Sequence, residues 1–369
     1  MDASGADGRR GVIERMSRPE PTRPRTLTKP DDFVAAGLVA PARADALAKV
    51  TARYSAAMTP HLAALVDPSD PADPIAGQFV PDARELETAG HERIDPIGDD
   101  AHSPCEGLVH RYPDRVLLKI VAACPVYCRF CFRRETVGAA KGGMLSPQAL
   151  ETALDYIRAR SDIWEVILTG GDPLALSPRR LAETVRAIAA IDHVKTLRFH
   201  TRVPVAAPDL VTDDLVAAIK AEGVATWVAL HANHPRELGP DARAALARFA
   251  DAGVPLLSQT VLLKGVNDDP ETLAALMRAF VESRVKPYYL HHPDLAPGTG
   301  HFRLPIAEGR RIVAQMMRRM SGIARPAYVL DIPGGYGKIP LGAEAATADG
   351  AVGWLLKDPA GRAHSYSDD

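Results

Sequence analysis

Cysteine is scarce in this chain of 369 residues, and its four copies are unevenly placed. Three fall within eight residues, from Cys124 to Cys131, and the fourth is Cys105. That excludes the evenly spread set from which a small secreted domain builds a disulfide framework. A second C-x2-C pair is missing, so the usual four-ligand pattern of a structural zinc site is absent too. An excess of one charge is also lacking. The 44 basic and 46 acidic residues leave a net charge of −2, with no global pull toward nucleic acid or anionic lipid. No apolar run is long enough to span a bilayer, and the N-terminus has no signal-peptide core. No internal repeat of fixed period is present. These absences point to a cytoplasmic protein with no nucleic-acid or membrane partner.

What is present is the composition of an ordinary globular enzyme, 46% hydrophobic and 24% charged. Residues 1–30 are rich in Arg, Pro, Gly and Asp, which predicts a disordered segment, and Met16 offers an alternative start. A helical N-terminal region is expected over 31–95, with helical spacing over 31–65, a proline-rich stretch over 67–74 and a connecting loop over 92–105. From there apolar runs alternate with amphipathic ones. Strands are expected over 116–121, 165–169, 196–200, 226–230, 256–262 and 286–290. Helices are expected after Ser146-Pro147 and Ser177-Pro178, where a cap precedes a first-turn proline, and over 211–221, 241–252 and 270–283. Six such repeats predict an α/β fold, a partial (β/α)6 TIM-like barrel over 96–325 with its active groups at the carboxyl ends of the strands. A helix is expected near 307–320, and a C-terminal segment over 326–369 carries a strand over 328–331 and a glycine-rich loop ending in Lys338.

The cysteine triplet follows the first barrel strand, where that rule puts an active group. Its spacing is C-x3-C-x2-C, from Cys124 through Cys128 to Cys131. Three thiolates on one short loop can hold three corners of a 4Fe–4S cluster and leave one iron open. The spacing alone leaves room for a zinc knuckle completed by a histidine. It resembles the signature of the radical S-adenosylmethionine (SAM) enzymes. That resemblance implies SAM on the open iron, cleaved by electron transfer from the cluster, and hence an external one-electron reductant.

The second barrel strand ends in Gly170-Gly171-Asp172-Pro173. Glycines there let a ligand or another backbone approach closely, although a tight turn would use them as readily. Beside the cysteine triplet, the run resembles the Gly-Gly-acid turn that contacts SAM in that superfamily, and Arg202 and Gln259 at later strand ends are further candidates to face it. Near the C-terminus, Asp331-Ile332-Pro333-Gly334-Gly335-Tyr336-Gly337-Lys338 is not a P-loop, because Ile339 follows the lysine. A lysine held by such a loop can carry pyridoxal phosphate (PLP), or can be an ordinary solvated lysine.

These stretches, together with Gly107 to Leu118, Asn233-His234-Pro235, Val261 to Asp268 and Pro287-Tyr288-Tyr289, resemble the lysine 2,3-aminomutase family over roughly residues 95–340. The resemblance implies a radical SAM, PLP-dependent isomerase that moves the α-amino group of L-lysine to the β-carbon and returns SAM unchanged. It implies Lys338 as the PLP lysine. Arg111, Tyr112 and Arg115 fall in the segment that touches PLP, and Arg133 matches the arginine on the substrate carboxylate, where a planar fork suits a planar acid. Asp294 and Asp331 match two aspartates that hold the distal ammonium of lysine, and they would repel the side chain of glutamate. Asp269 stands where some relatives have a zinc-ligating cysteine, so no structural zinc is expected. A homo-oligomer, dimer or larger, is the family's expectation, although the short C-terminal tail weakens it. The short form and the Tyr289-Leu290-His291-His292 run resemble the branch that makes β-lysine for elongation factor P, but that branch does not usually keep the glycine-rich loop. Alternatives are a 2,3-aminomutase of glutamate or arginine, a radical SAM enzyme without PLP, and a non-catalytic iron–sulfur sensor.

Overall fold

A computed structural model describes residues 25–138, 143–342, 346–349, 353–357 and 362–367. Most of the N-terminal segment expected to be disordered therefore lies outside the described residues. The exception is its end. Leu27 exchanges backbone hydrogen bonds with Met58, and a helix opens at Pro30.

Nine strands form one curled sheet in sequence order: β1 (Leu108–Tyr112), β2 (Arg115–Val121), β3 (Glu165–Gly170), β4 (Thr196–Thr201), β5 (Ala225–His231), β6 (Leu256–Val261), β7 (Val285–His291), β8 (Ala327–Asp331) and β9 (Lys338–Pro340). The six expected strands are β2 to β7, and each lies within a residue or two of its expected bounds. Strands β2 to β8 are all parallel, so the barrel has a seventh parallel strand. The edges β1 and β9 are antiparallel hairpin partners of β2 and β8. Periodicity over five and three residues is too short to show such edges against the apolar runs beside them.

Helices cover the outer face because each parallel pair needs a crossover. Ser146 caps Pro147–Arg158 by accepting from Ala149 N, and Asp269 caps Pro270–Glu282 by accepting from Glu271 N and Thr272 N. The helix expected over 211–221 is shorter, Asp213–Ala218, capped by Thr212. Leu118, Leu168, Phe199 and Leu230 from the sheet pack with Leu154, Val185, Leu246 and Phe280 from the helices in one continuous core. Each such side chain contributes about 1.5–3 kcal/mol by leaving water. Among the described residues no helix is long and apolar enough to cross a membrane.

The N-terminal region is a set of short helices, Pro30–Ala35, Ala44–Arg53, Pro60–Ala64 and Pro74–Phe79, where the sequence suggests a longer helical stretch. The prolines at 41, 60 and 74 each sit at a helix start and so divide it. This region does not stand apart from the barrel. Phe33, Leu47, Met58, Leu62, Ile75 and Phe79 form a second core that takes in Val126 of the cysteine loop and Ala206 after β4. Beyond Pro340 the described chain adds a three-stranded antiparallel sheet, Ala346–Asp349, Gly353–Lys357 and Ala363–Ser367, which the sequence reading does not anticipate.

Candidate active site

The curled sheet encloses a cavity of about 290 Å³. Its wall includes every residue that the sequence reading puts forward as a site residue. Five side chains on that wall, Arg111, Arg198, Arg202, His231 and His291, each keep a buried nitrogen with no partner. A cavity that holds so many unused polar atoms is built for a polar occupant.

The cysteine loop runs from the end of β2 and is strapped in place by the N-terminal region. Tyr127 N donates to Ala57 O at 3.0 Å and Arg129 N to Gln78 O at 2.8 Å. Glu85, fully buried, receives Arg129 Nε at 2.9 Å and also holds Arg134. These two arginines bracket Cys131, so one carboxylate fixes both ends of the loop's last turn. Burial pushes all three thiols up, Cys128 to about 11. Arg202 beside Cys128 works the other way, as do Arg133, Arg134 and Arg129 around Cys131. Three sulfurs under an arginine-rich wall fit an anionic, thiolate-held iron–sulfur cluster. Cys105 is a different case. It packs partly buried against the main core and does not line the cavity.

The glycines after β3 serve the cysteine loop directly. Gly170 has φ +112°, and a Cβ on Gly171 would lie 2.2 Å from Ala123 O. Only glycine lets the end of β3 come this close to the backbone leading into Cys124. Asp172 is buried, and its carboxylate is shared among β3 and β4 groups. It accepts from Thr201 Oγ1 at 2.7 Å, Arg202 N at 2.7 Å and Leu174 N at 3.0 Å. Gln259 is likewise pinned, its Nε2 lying 2.9 Å from Nε2 of His200. Burial holds His200, His231 and His291 below the ordinary histidine range, so these rings are neutral.

On the far wall a chain of alternating charges joins the substrate candidates. Asp99 accepts from Arg133 Nη2 at 2.9 Å and Nε at 3.0 Å, and from Arg111 Nη2 at 2.8 Å. Arg111 Nη1 lies 3.6 Å from Asp331, and Lys338 Nζ donates to Asp331 at 2.8 Å. Burial pushes Asp331 up, but His291, whose Nδ1 lies 3.6 Å away, and the Lys338 ammonium outweigh it and hold the acid well below the usual range. Asp294 faces the same acid, and burial plus the charge of Asp331 push it up to about 7 against the opposing pull of Lys338, Arg133 and Arg111. The two aspartates are therefore unlike, one firmly ionised and one poised to titrate.

Lys338 opens β9, and its backbone N donates to Tyr112 Oη at 3.0 Å. Tyr112 ends β1, so this bond ties the two edge strands of the sheet to each other. The guanidinium of Arg115 lies 3.8 Å from the Tyr112 ring centre. A lysine amine with two arginines and a tyrosine nearby fits a phosphate-bearing aldehyde cofactor.

Sequence reasoning misses Gln78, Glu85, Asp99 and Glu237. Each is remote in sequence from the motif that it serves, and capping-box spacing marks two of them locally, Glu85 after Asp82 and Glu237 after His234.

Known proteins resemble this chain over most of its length. The radical SAM superfamily model matches residues 118–277. L-lysine 2,3-aminomutase from Clostridium subterminale is 41% identical over 285 residues, 77% of this chain and 68% of that protein. The enzyme of the same name from Methanococcus maripaludis is 40% identical over 85% of this chain and 72% of its own length. Glutamate 2,3-aminomutase from Clostridioides difficile is 34% identical over 79% of this chain and 69% of that protein.

Proposed function

Because the chain belongs to the lysine 2,3-aminomutase family, as a radical SAM isomerase whose cofactors are a 4Fe–4S cluster, SAM and PLP, we propose that its substrate is L-lysine and its product β-lysine. One observation carries the choice of lysine. Asp294 and Asp331 share one cavity wall, with Arg133 reached from them through Arg111 and Asp99. A diammonium acid needs negative charge at one end and a guanidinium fork at the other. A glutamate side chain would meet two carboxylates.

In this reading Cys124, Cys128 and Cys131 hold the cluster, and Gly170, Gly171, Asp172, Arg202 and Gln259 shape the wall against SAM. Bound together, the cofactors supply a carbon-centred radical and a conjugated ring that spreads the unpaired electron. The protein's own share is positioning and exclusion of water. Arg133 spends its Nε–Nη2 edge on Asp99, which leaves Nη1, at 3.5 Å from Thr169 Oγ1, and the second Nη2 hydrogen to face a carboxylate. Lys338 offers its amine from a loop clamped by Tyr112. The neutral histidines line the cavity without adding charge near the reacting carbons.

A second cavity, of about 440 Å³, shares Pro293, Asp294 and Asp331 with the first. Space beyond the acids favours arginine as the second reading, since a guanidinium is longer than an ammonium and equally cationic.

The test is an anaerobic assay of reconstituted protein with PLP, SAM, a reductant and L-lysine, L-arginine and L-glutamate together. β-Lysine as the product supports the proposal. β-Arginine or β-glutamate in its place overturns the substrate. In Lys338→Ala the absorbance of lysine-bound PLP is lost, and if it persists the lysine is misassigned.

A further inference from the structure

Arg202 lies buried just past β4, and its guanidinium has three fixed partners. Nη1 donates to Cys128 Sγ at 3.4 Å. Nη2 donates to Gln78 Oε1 at 2.8 Å and to Glu237 Oε2 at 2.5 Å. The guanidinium carbon lies 4.6 Å from the Phe79 ring centre and 5.6 Å from that of Phe130. Glu237 is fully buried, and its second oxygen is also taken. It accepts from Asn233 N and His234 N at 2.9 Å each, and from Gln78 Nε2 at 3.2 Å. Neither member of the pair is free to swing toward a ligand that comes and goes. What the arrangement does fix is a cationic N–H on a cysteine sulfur, with a buried carboxylate directly behind it.

We propose that the Arg202–Glu237 pair sets the reduction potential of the cluster held by the cysteine triplet, with Gln78 of the N-terminal region holding the pair in register. The reasoning is electrostatic. Reduction adds one electron to the cluster and its thiolates. A cationic donor on a ligand sulfur stabilises that more negative state and raises the potential. A buried carboxylate behind the donor opposes it, and low dielectric keeps both effects large. The two residues therefore act with opposite signs on one quantity. The assignment does not depend on which amino acid is the substrate, so failure of the lysine reading leaves it standing.

The test is an EPR-monitored redox titration of the reconstituted full-length protein without SAM or amino acid, with iron content measured alongside. Arg202→Gln moves the midpoint to lower potential, and Arg202→Lys moves it less. Glu237→Gln moves it to higher potential. Opposed shifts at matched iron content support the proposal. Damage to packing alone would drive both variants the same way, and that result overturns it, as does an unshifted midpoint in Glu237→Gln. Should Arg202→Gln take up no cluster, Arg202→Lys and Glu237→Gln decide the matter between them.

Discussion

The acid pair makes lysine binding depend on pH in a way that can be worked out in advance. Asp294 ordinarily loses its proton near 3.8, but burial and the neighbouring charge of Asp331 push it up to about 7. A shift of roughly three units corresponds to about 4 kcal/mol against ionisation. Below that value Asp294 is a neutral acid and gives a substrate ammonium no charge to pair with. Lowering the pH from about 8 to about 6 cuts the ionised fraction roughly tenfold, so KM for lysine should rise about tenfold over that range. Asp331 stays ionised throughout, because His291 and Lys338 hold it low against the effect of burial. Burial moves the neighbouring His291 and His200 below the ordinary histidine range, in the direction away from this window. The measurement is KM for L-lysine across the range, in wild type and in Asp294→Asn. The variant should bind lysine more weakly at pH 8, by roughly 10- to 100-fold for a lost charge-assisted contact, and its KM should no longer change with pH. A wild-type KM that is level between pH 6 and 8 would refute the reasoning. So would a variant that keeps the wild-type slope, since some other group would then be titrating.

Three further outcomes follow from the packing. Gly171→Ala sets a Cβ against Ala123 O, and should cost about 1–3 kcal/mol and lower the iron retained per chain; unchanged iron content and thermal stability would exclude the close-approach role. Asp99→Asn removes the charge between Arg111 and Arg133, so KM for the amino acid should rise roughly tenfold while kcat changes less; an unchanged KM would mean that Arg133 keeps its orientation alone. Asp269→Ala removes a helix cap and should cost about 1 kcal/mol in thermal or denaturant unfolding while the enzyme keeps its turnover. A collapse of turnover in Asp269→Ala, with folding intact, would assign that acid a role beyond the cap.

Much of the chemistry was legible in the sequence because it is written in short contiguous stretches. The C-x3-C-x2-C loop, the Gly-Gly-Asp turn and the lysine loop each carry their spacing within ten residues or so. The six core strands were legible for a related reason. A parallel strand buried on both faces reads as an apolar run, as Val166–Leu168 does in the middle of β3. Residue types also carried the proposed cation preference, through two aspartates whose places match a family pattern. What the sequence could not supply is whatever depends on contact between distant segments. The edge strands β1 and β9 are too short to show a period, and only the curl of the sheet brings Tyr112 to the backbone of Lys338. Glu85 and Gln78 sit in the part of the N-terminal region, after the proline-rich stretch, where the sequence shows no site motif, yet folding buries them against Arg129, Arg134 and Arg202. Asp99 reads as a loop acid and becomes the hinge of a charge chain. Likewise, the sequence names Asp294 and Asp331 as equals. Only the tertiary structure makes one a fixed charge and the other a titrating one, because burial and the distance to Lys338 differ between them.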